Sequence, residues 1–300
     1  MPKASFTSTD NRQMEVEYET FGDPSHPALL MIMGYSAQMT AWPEGFIKKL
    51  ASAGYYVIRF DNRDCGLSTH LDGVFVDVGP VIAAALFDDP IPPIPYTLVD
   101  MAGDAVALLD HLGIDRAHIA GMSLGGMVSQ VVAYTHPHRV MTLTSISSQP
   151  GDPEVGQPTM EASAVIFEEA PVGMSREDYI ESSLNWQVWQ SQKYRDDNLS
   201  RTAAALAYDR AFYPEGATRQ LAAVYGTGRR HDQVATISVP TLVIHGTDDT
   251  LITPSGGERT AELVPNSTLV MVDDMGHDLP QPLWPLLTNA IVDHLSRVQA

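Results

Sequence analysis

The chain has 300 residues, 44% of them hydrophobic and 18% charged, a composition able to fill a large globular core. Its 37 acidic side chains against 18 basic ones leave a formal charge of −19, a field that repels phosphate backbones and argues against a nucleic-acid partner. A single cysteine, Cys65, excludes an intrachain disulfide and a cysteine-rich metal site, and the longest apolar run, residues 81–87, falls far short of the roughly 20 residues of a membrane span. The opening residues Met1-Pro2-Lys3-Ala4-Ser5 carry no hydrophobic signal core, so a cytoplasmic protein is expected.

Alternating patterns at residues 4–9 and 14–18 predict two strands, followed by a turn at Gly22-Asp23-Pro24. Residues 28–33 are continuously apolar, as in a strand buried on both faces. A helix over 46–53 stops at Gly54, and a short strand over 55–60 ends in Asp61-Asn62-Arg63-Asp64. A small insertion over 71–95 contains the stiff extended segment Ile91-Pro92-Pro93-Ile94-Pro95. Leu98, Met101, Ala105, Leu108, Leu109 and Leu112 form one helical stripe, closed by Gly113. A strand over 117–120, a helix carrying Met127, Val128, Val131 and Val132, and a strand over 140–146 follow.

Strands alternating with helices predict an α/β fold with a mostly parallel sheet and helices on both faces. The alternation stops at Gln149-Pro150-Gly151-Asp152-Pro153, and from 154 to 235 no strand pattern is present. Helices are expected there over 160–169, 176–190, 198–212 and 217–225, the second opened by Ser175 with Asp178 three residues on. Strand patterns return at 239–244 and 267–272, and a helix over 283–298 closes the chain. The expected division is a core of residues 1–150 and 236–300 with an inserted helical cap over 151–235.

Gly121-Met122-Ser123-Leu124-Gly125 sits where a strand pattern gives way to a helical one, the context of a nucleophile elbow. Such a turn holds a serine hydroxyl above a sheet, beside the free N–H groups of a helix N-terminus. Serine needs a base, and the base a carboxylate to fix its tautomer, in the chain order Ser, Asp or Glu, His. His277 and His294 lie late enough to serve. His294 falls inside the last amphipathic helix, where a satisfied surface histidine is expected, whereas His277 follows the last strand in a loop and is the candidate base. The acid belongs at the preceding strand end, His245-Gly246-Thr247-Asp248-Asp249, where spacing alone leaves Asp248 and Asp249 open.

These motifs resemble the α/β-hydrolase superfamily over nearly the whole chain, which implies an eight-stranded sheet. In the family the acid stands three residues after the strand-end glycine, a position that falls on Asp249. Gly276-His277 matches its Gly-His, and Asp61-Asn62-Arg63-Asp64-Cys65-Gly66-Leu67-Ser68 resembles its Asp-x-Arg-x-x-Gly-x-Ser loop. The chain is most similar to the capped serine esterases, a branch that includes anthracycline methylesterases; haloalkane dehalogenases and epoxide hydrolases share the fold but carry Asp where Ser123 stands. The oxyanion hole implied is the main-chain N–H of Leu124 and of Tyr35, the latter in Met33-Gly34-Tyr35 where many relatives have His-Gly-x. The expected activity is hydrolysis of a small-molecule carboxylic ester, with no cofactor and no metal. Carbon–carbon hydrolysis, perhydrolysis or lactone opening on the same triad is the alternative, ahead of a silent ligand receptor.

Smaller features carry less. His136-Pro137-His138 is expected to be a helix-ending turn, Cys65 a small loop residue, and Arg63 with Asp64 an ion pair or loop brace. Trp186, Trp189, Tyr194, Tyr208, Phe212 and Tyr213 suit a substrate pocket or the cap's own core equally well, and Met122, Met127 and Met275 could form an adaptable apolar wall.

Overall fold

The computed structural model describes residues 2–87, 89–168 and 170–298. The eight strands are β1 (Lys3–Thr7), β2 (Gln13–Phe21), β3 (Ala28–Ile32), β4 (Tyr56–Phe60), β5 (Ala117–Met122), β6 (Val140–Ile146), β7 (Thr241–Gly246) and β8 (Ser267–Val272). They form one sheet in the order β1-β2-β4-β3-β5-β6-β7-β8, with β2 antiparallel to both neighbours and every other pair parallel. The order reverses at β3, because the chain steps from β3 outward to β4 and then crosses back to β5 on the other side. The crevice between the carboxyl ends of β3 and β5 is therefore the switch point, where sheets of this kind bind ligands.

Residue period fixes which face each helix covers. Leu30 and Ile32 of β3 point into one cluster with α3 (Leu98–His111) and α4 (Leu124–Thr135), while Leu29 and Met31 point into the other, with α1 (Glu44–Ser52) and α11 (Trp284–Leu295). All five β3 residues are buried, as an internal parallel strand requires. Helix α3 opens on a capping box: Thr97 Oγ1 accepts from Asp100 N–H, and the Asp100 carboxylate accepts from Thr97 N–H. Between β4 and α3 lies α2 (Val78–Phe87), a helix where the sequence shows only an apolar run. Its apolar residues face all round the helix, so no amphipathic stripe announces it.

Between β6 and β7 run α5 (Met160–Ile166), α6 (Arg176–Ser182), α7 (Asp197–Ala211), α8 (Glu215–Thr227) and the short α9 (His231–Val234), with no strand among the described residues. The expected helix over 160–169 is shorter, and Glu169 lies outside the described residues. The expected helix over 176–190 breaks after α6 into a 3₁₀ turn at Ser183–Val188. Ser182 and Ser183 cause the break, since their hydroxyls bond back to Tyr179 O and Ile180 O and compete with the helical ladder. Ala223 of α8 and Val234 of α9 belong to the main core cluster, so the end of this excursion is built into the body of the fold. Helix α10 (Ser255–Leu263) completes the set, packed against β7 and β8, in a segment for which the sequence raised no expectation.

Candidate active site

Ser123 joins β5 to α4 at φ 58° and ψ −124°, a conformation that costs a non-glycine residue on the order of 1–3 kcal/mol. Its neighbours enforce it. A β-carbon on Gly121 would stand 2.1 Å from Gly125 O, and one on Gly125 2.0 Å from Ile32 O, so only glycine lets strand and helix approach this closely. Ser123 N–H donates to Ile146 O at 2.9 Å, and Ser123 O accepts from the Ser148 hydroxyl at 2.8 Å. The Leu124 N–H, first in α4, has no acceptor within the helix.

The loop after β3 lies against this serine: a β-carbon on Gly34 would be 3.1 Å from Ser123 Cβ and 3.6 Å from its Oγ. Tyr35 follows, and Ser36 turns the chain at φ 53°. Side chains from elsewhere in the chain hold this loop. Asn62 Nδ2 donates to Met33 O at 2.9 Å, Ser36 N–H donates to Gln220 Oε1 at 2.8 Å, and Gln220 Nε2 donates to Arg63 O at 2.8 Å. Gln38 Nε2 donates to Ala207 O and Ala211 O at 2.7 and 2.9 Å. Helices α7 and α8 therefore hold the Gly34–Tyr35 loop.

At the ends of β7 and β8, His277 Nδ1 lies 2.7 Å from Asp249 Oδ2. A carboxylate only accepts, so Nδ1 carries the proton and Nε2 is left with its lone pair. Asp249 Oδ1 accepts from Leu251 N–H and Ile252 N–H at 3.0 and 2.9 Å. Burial by itself pushes the Asp249 carboxyl up, but the His277 and His245 rings outweigh it and bring it down to about 2. His245 Nε2 is 3.5 Å from Asp249 Oδ2 but 2.7 Å from Ile252 O, its true acceptor, which leaves His277 as the directed partner. Asp248, half-exposed, accepts from Thr247 Oγ1 instead. His294 is a buried core residue rather than a surface one: its Nε2 meets Leu143 O at 3.1 Å, and burial lowers its pKa to about 4. Ser123 Oγ and His277 are not joined by a hydrogen bond in this arrangement.

The profile of the alpha/beta hydrolase fold matches residues 27–280. The chain belongs to that family. Rhodomycin D methylesterase DauP of Streptomyces sp. (strain C5) is 27% identical over 296 residues, 92% of this chain and 93% of that one. 3-Oxoadipate enol-lactonase 2 of Acinetobacter baylyi is 25% identical over 282 residues, 91% of each chain. Among solved structures, the enol-lactonase from Burkholderia xenovorans aligns with a TM-score of 0.71 at 20% identity, over 97% of this chain and 99% of that one.

In this α/β hydrolase the Asp61–Ser68 loop is structural. Asp61 Oδ1 accepts from Met39 N–H at 2.7 Å and Oδ2 from Leu67 N–H at 2.9 Å, and a β-carbon on Gly66 would fall 2.1 Å from Oδ2. Arg63 and Asp64 do not pair with each other: Arg63 chelates Asp104 at 2.6 and 2.7 Å, and Asp64 chelates Arg219 at 2.8 and 2.9 Å. Cys65 is buried, and burial, reinforced by Asp61, pushes its thiol far up. His136 caps the end of α4, and Pro137–Arg139 form a 3₁₀ turn. No group of three or more His, Cys, Asp or Glu side chains is placed to hold a metal among the described residues, and no described helix is long and apolar enough to cross a membrane.

The segment between β6 and β7 grips the histidine loop. His277 N–H donates to Trp189 O at 2.6 Å, and a β-carbon on Gly276 would meet that oxygen at 2.4 Å. Ser191 N–H and Gly276 N–H both donate to Asp278 Oδ1, at 3.1 and 3.3 Å, and Ser191 Oγ donates to Asp274 O at 2.6 Å. Burial pushes the Asp278 carboxyl up to about 6 against these two bonds and the His277 ring, with Asp249 adding to the rise. A cavity of about 120 Å³ opens on Ser123, Leu124 and Tyr35, walled by Met127, Phe167 and Tyr225 among others; His277 is not one of its walls. Met122 and Met275 lie in the core on the α1 and α11 side, away from it. None of the six aromatic residues singled out in sequence lines it: Tyr208 and Phe212 pack with Tyr179, Trp186 with Tyr179, and Tyr213 on His70. Asn62, Ser148, Gln220 and Asp278 had no signal in sequence as supports of the site, because their partners lie far along the chain or are main-chain atoms.

Proposed function

We propose that this α/β hydrolase cleaves a carboxylic ester through an acyl-enzyme. Ser123 Oγ attacks the ester carbonyl while His277 Nε2 takes its proton; the imidazolium returns that proton to the leaving alkoxide. A water deprotonated by His277 then attacks the acyl carbonyl, and the serine leaves as the acid departs. Asp249 keeps the His277 tautomer and stabilises its charge. The main-chain N–H groups of Leu124 and Tyr35 receive the oxyanion, each worth about 3 kcal/mol in the transition state. No cofactor or metal enters this chemistry.

One observation carries the reading: a strained serine at the sheet's switch point has a glycine loop against its side chain, while the same sheet edge presents an imidazole tied to a buried carboxylate. Hydrogen bonds between such a base and its nucleophile are often long before substrate binds and shorten in the working complex. Likeness to a methylesterase puts esters first. Likeness to an enol-lactonase supports lactone opening as the second reading, since a lactone is an ester whose alkoxide stays tethered. Carbon–carbon hydrolysis and perhydrolysis on the same residues come behind both. Residues 151–235 serve as the cap, with their final part fixed in the core. A small-molecule substrate in the cytoplasm fits a strongly acidic chain whose single thiol is buried.

Turnover of p-nitrophenyl esters tests this directly. Ser123→Ala is expected to lower kcat by about 10⁴-fold or more while the thermal unfolding midpoint stays close to that of the unmodified protein. Activity surviving that substitution contradicts the reading.

A further inference from the structure

Four arginines are buried among the described residues, and three of them face a carboxylate: Arg59 meets Glu19 at 2.6 Å, Arg63 meets Asp104 at 2.6 Å and Arg219 meets Asp64 at 2.8 Å. Arg230, only 2% exposed, does not. Its Nη1 donates to Gly228 O at 3.2 Å, its Nη2 to Gln149 O at 2.9 Å, and its Nε has no partner. Asp152 acts on it through space and makes no hydrogen bond to it; Asp152 Oδ2 is engaged by His231 Nδ1 at 2.9 Å and Arg259 Nη1 at 3.4 Å, and its buried Oδ1 has no hydrogen-bond partner. Burial lowers the guanidinium pKa to about 10, so it remains a cation at neutral pH. A buried charge with carbonyl partners alone is costly, a cost the fold meets at its other buried arginines with carboxylates.

Arg230 lines the same cavity as Ser123. It is fixed there by its own main chain, N–H to Pro150 O at 3.0 Å and O from Val234 N–H at 2.8 Å. The residue it binds, Gln149, follows Ser148, whose hydroxyl holds Ser123 O. Gln149 also lines the cavity, and its buried Oε1 has no hydrogen-bond partner. The otherwise largely apolar cavity therefore carries a polar side on which Arg230 has no carboxylate hydrogen-bonded to it, beside Gln149, Gln157 and an Arg229 already paired with Glu154, the kind of arrangement that fixes one end of a ligand.

Resting on the esterase reading above, we propose that Arg230 forms an anion subsite within the Ser123 cavity, so that the preferred ester bears a free carboxylate. The carboxylate completes the guanidinium's missing ion pair while the ester carbonyl sits over Ser123. It belongs either to the acyl part or to the alcohol part.

Matched esters separate these cases. p-Nitrophenyl hydrogen glutarate against p-nitrophenyl pentanoate tests the acyl side, and 4-acetoxybenzoate against its methyl ester tests the alcohol side. The expected result is a charged ester favoured over its neutral partner by about 10- to 100-fold in kcat/KM, the range of a charge-assisted bond. Arg230→Gln should abolish that preference while changing the neutral ester by less than about 3-fold, and Arg230→Lys should keep part of it. A guanidinium that only braced the 149 and 228 carbonyls would slow both esters alike, which overturns the subsite, as does an unmodified enzyme with no preference for either charged ester. In both cases turnover of the neutral esters leaves the esterase reading standing. Should Arg230→Gln fail to fold, the preference of the unmodified enzyme decides. If none of the four esters reacts, the esterase reading falls instead, and calorimetric titration of glutarate into the unmodified protein and into Arg230→Lys decides the subsite: binding at least several-fold tighter to the unmodified protein supports it, and no binding overturns it.

Discussion

Asp249 is buried, with Oδ1 held by two main-chain N–H groups and Oδ2 by His277, whereas Asp248 is half-exposed and accepts from Thr247. Identical side chains one position apart are thus given different work by their surroundings. Asp249→Asn cannot fix the same His277 tautomer and should lower kcat on the order of 10⁴-fold, while Asp248→Asn should stay within about 3-fold; comparable losses from the two would contradict the assignment. The Asp249 carboxyl is held below its ordinary 3.8, so its contribution to stability is full above that value and disappears as pH falls through about 2. Spacing could not choose between these aspartates, because the choice depends on which carboxylate the β7 turn aims at a loop 28 residues away. The strained turn at Ser123 was legible for the opposite reason: its two close-packed glycines are local, written into five consecutive residues.

Two joints between elements decide how well the site is held. Asp278 staples the 189–191 segment to the histidine loop through Ser191 and Gly276. Its carboxyl is raised above the ordinary 3.8 to about 6, so the stability it contributes is full below 3.8 and is lost as pH rises through 6. Asp278→Asn keeps an oxygen acceptor without the charge. The unfolding midpoint of this variant should exceed that of the unmodified protein by a few degrees near pH 8, with the gap closing toward pH 4. Equal midpoints at pH 8 would refute the staple's charge cost. Gln220 is the second joint, tying α8 to Ser36 N–H beside Tyr35. Gln220→Leu leaves that N–H and Arg63 O unpaired and should cost about 1–3 kcal/mol of stability. Because the loop it frees carries the proposed oxyanion donor Tyr35, kcat should fall about 10- to 100-fold with KM nearly constant. A change confined to KM would count against the role. Neither joint can be read from periodicity, which reports the faces of helices and not the long-range pairing of single amides.

At the scale of the whole molecule, the sequence was most legible where burial is periodic. The continuous apolar β3 and the stripe of α3 both stand as expected, since a parallel sheet covered on two faces leaves little else for such patterns to form. It was least legible in α2, which is apolar all round, and in α10, whose Ser-Gly-Gly opening imitates a turn. The helical excursion between β6 and β7 was visible as missing strands, but not the burial of its last helices in the core. The proposed chemistry depends on three residues, in the loops after β5, β7 and β8, working as one unit across that sheet. Intact-mass and peptide mass spectrometry after treatment with a fluorophosphonate measures this most directly. A single phosphonyl adduct on Ser123, formed at least 10³-fold more slowly in a His277→Ala variant, is the predicted result. An adduct on another residue, or labelling of Ser123 at an unchanged rate without the imidazole, would contradict it.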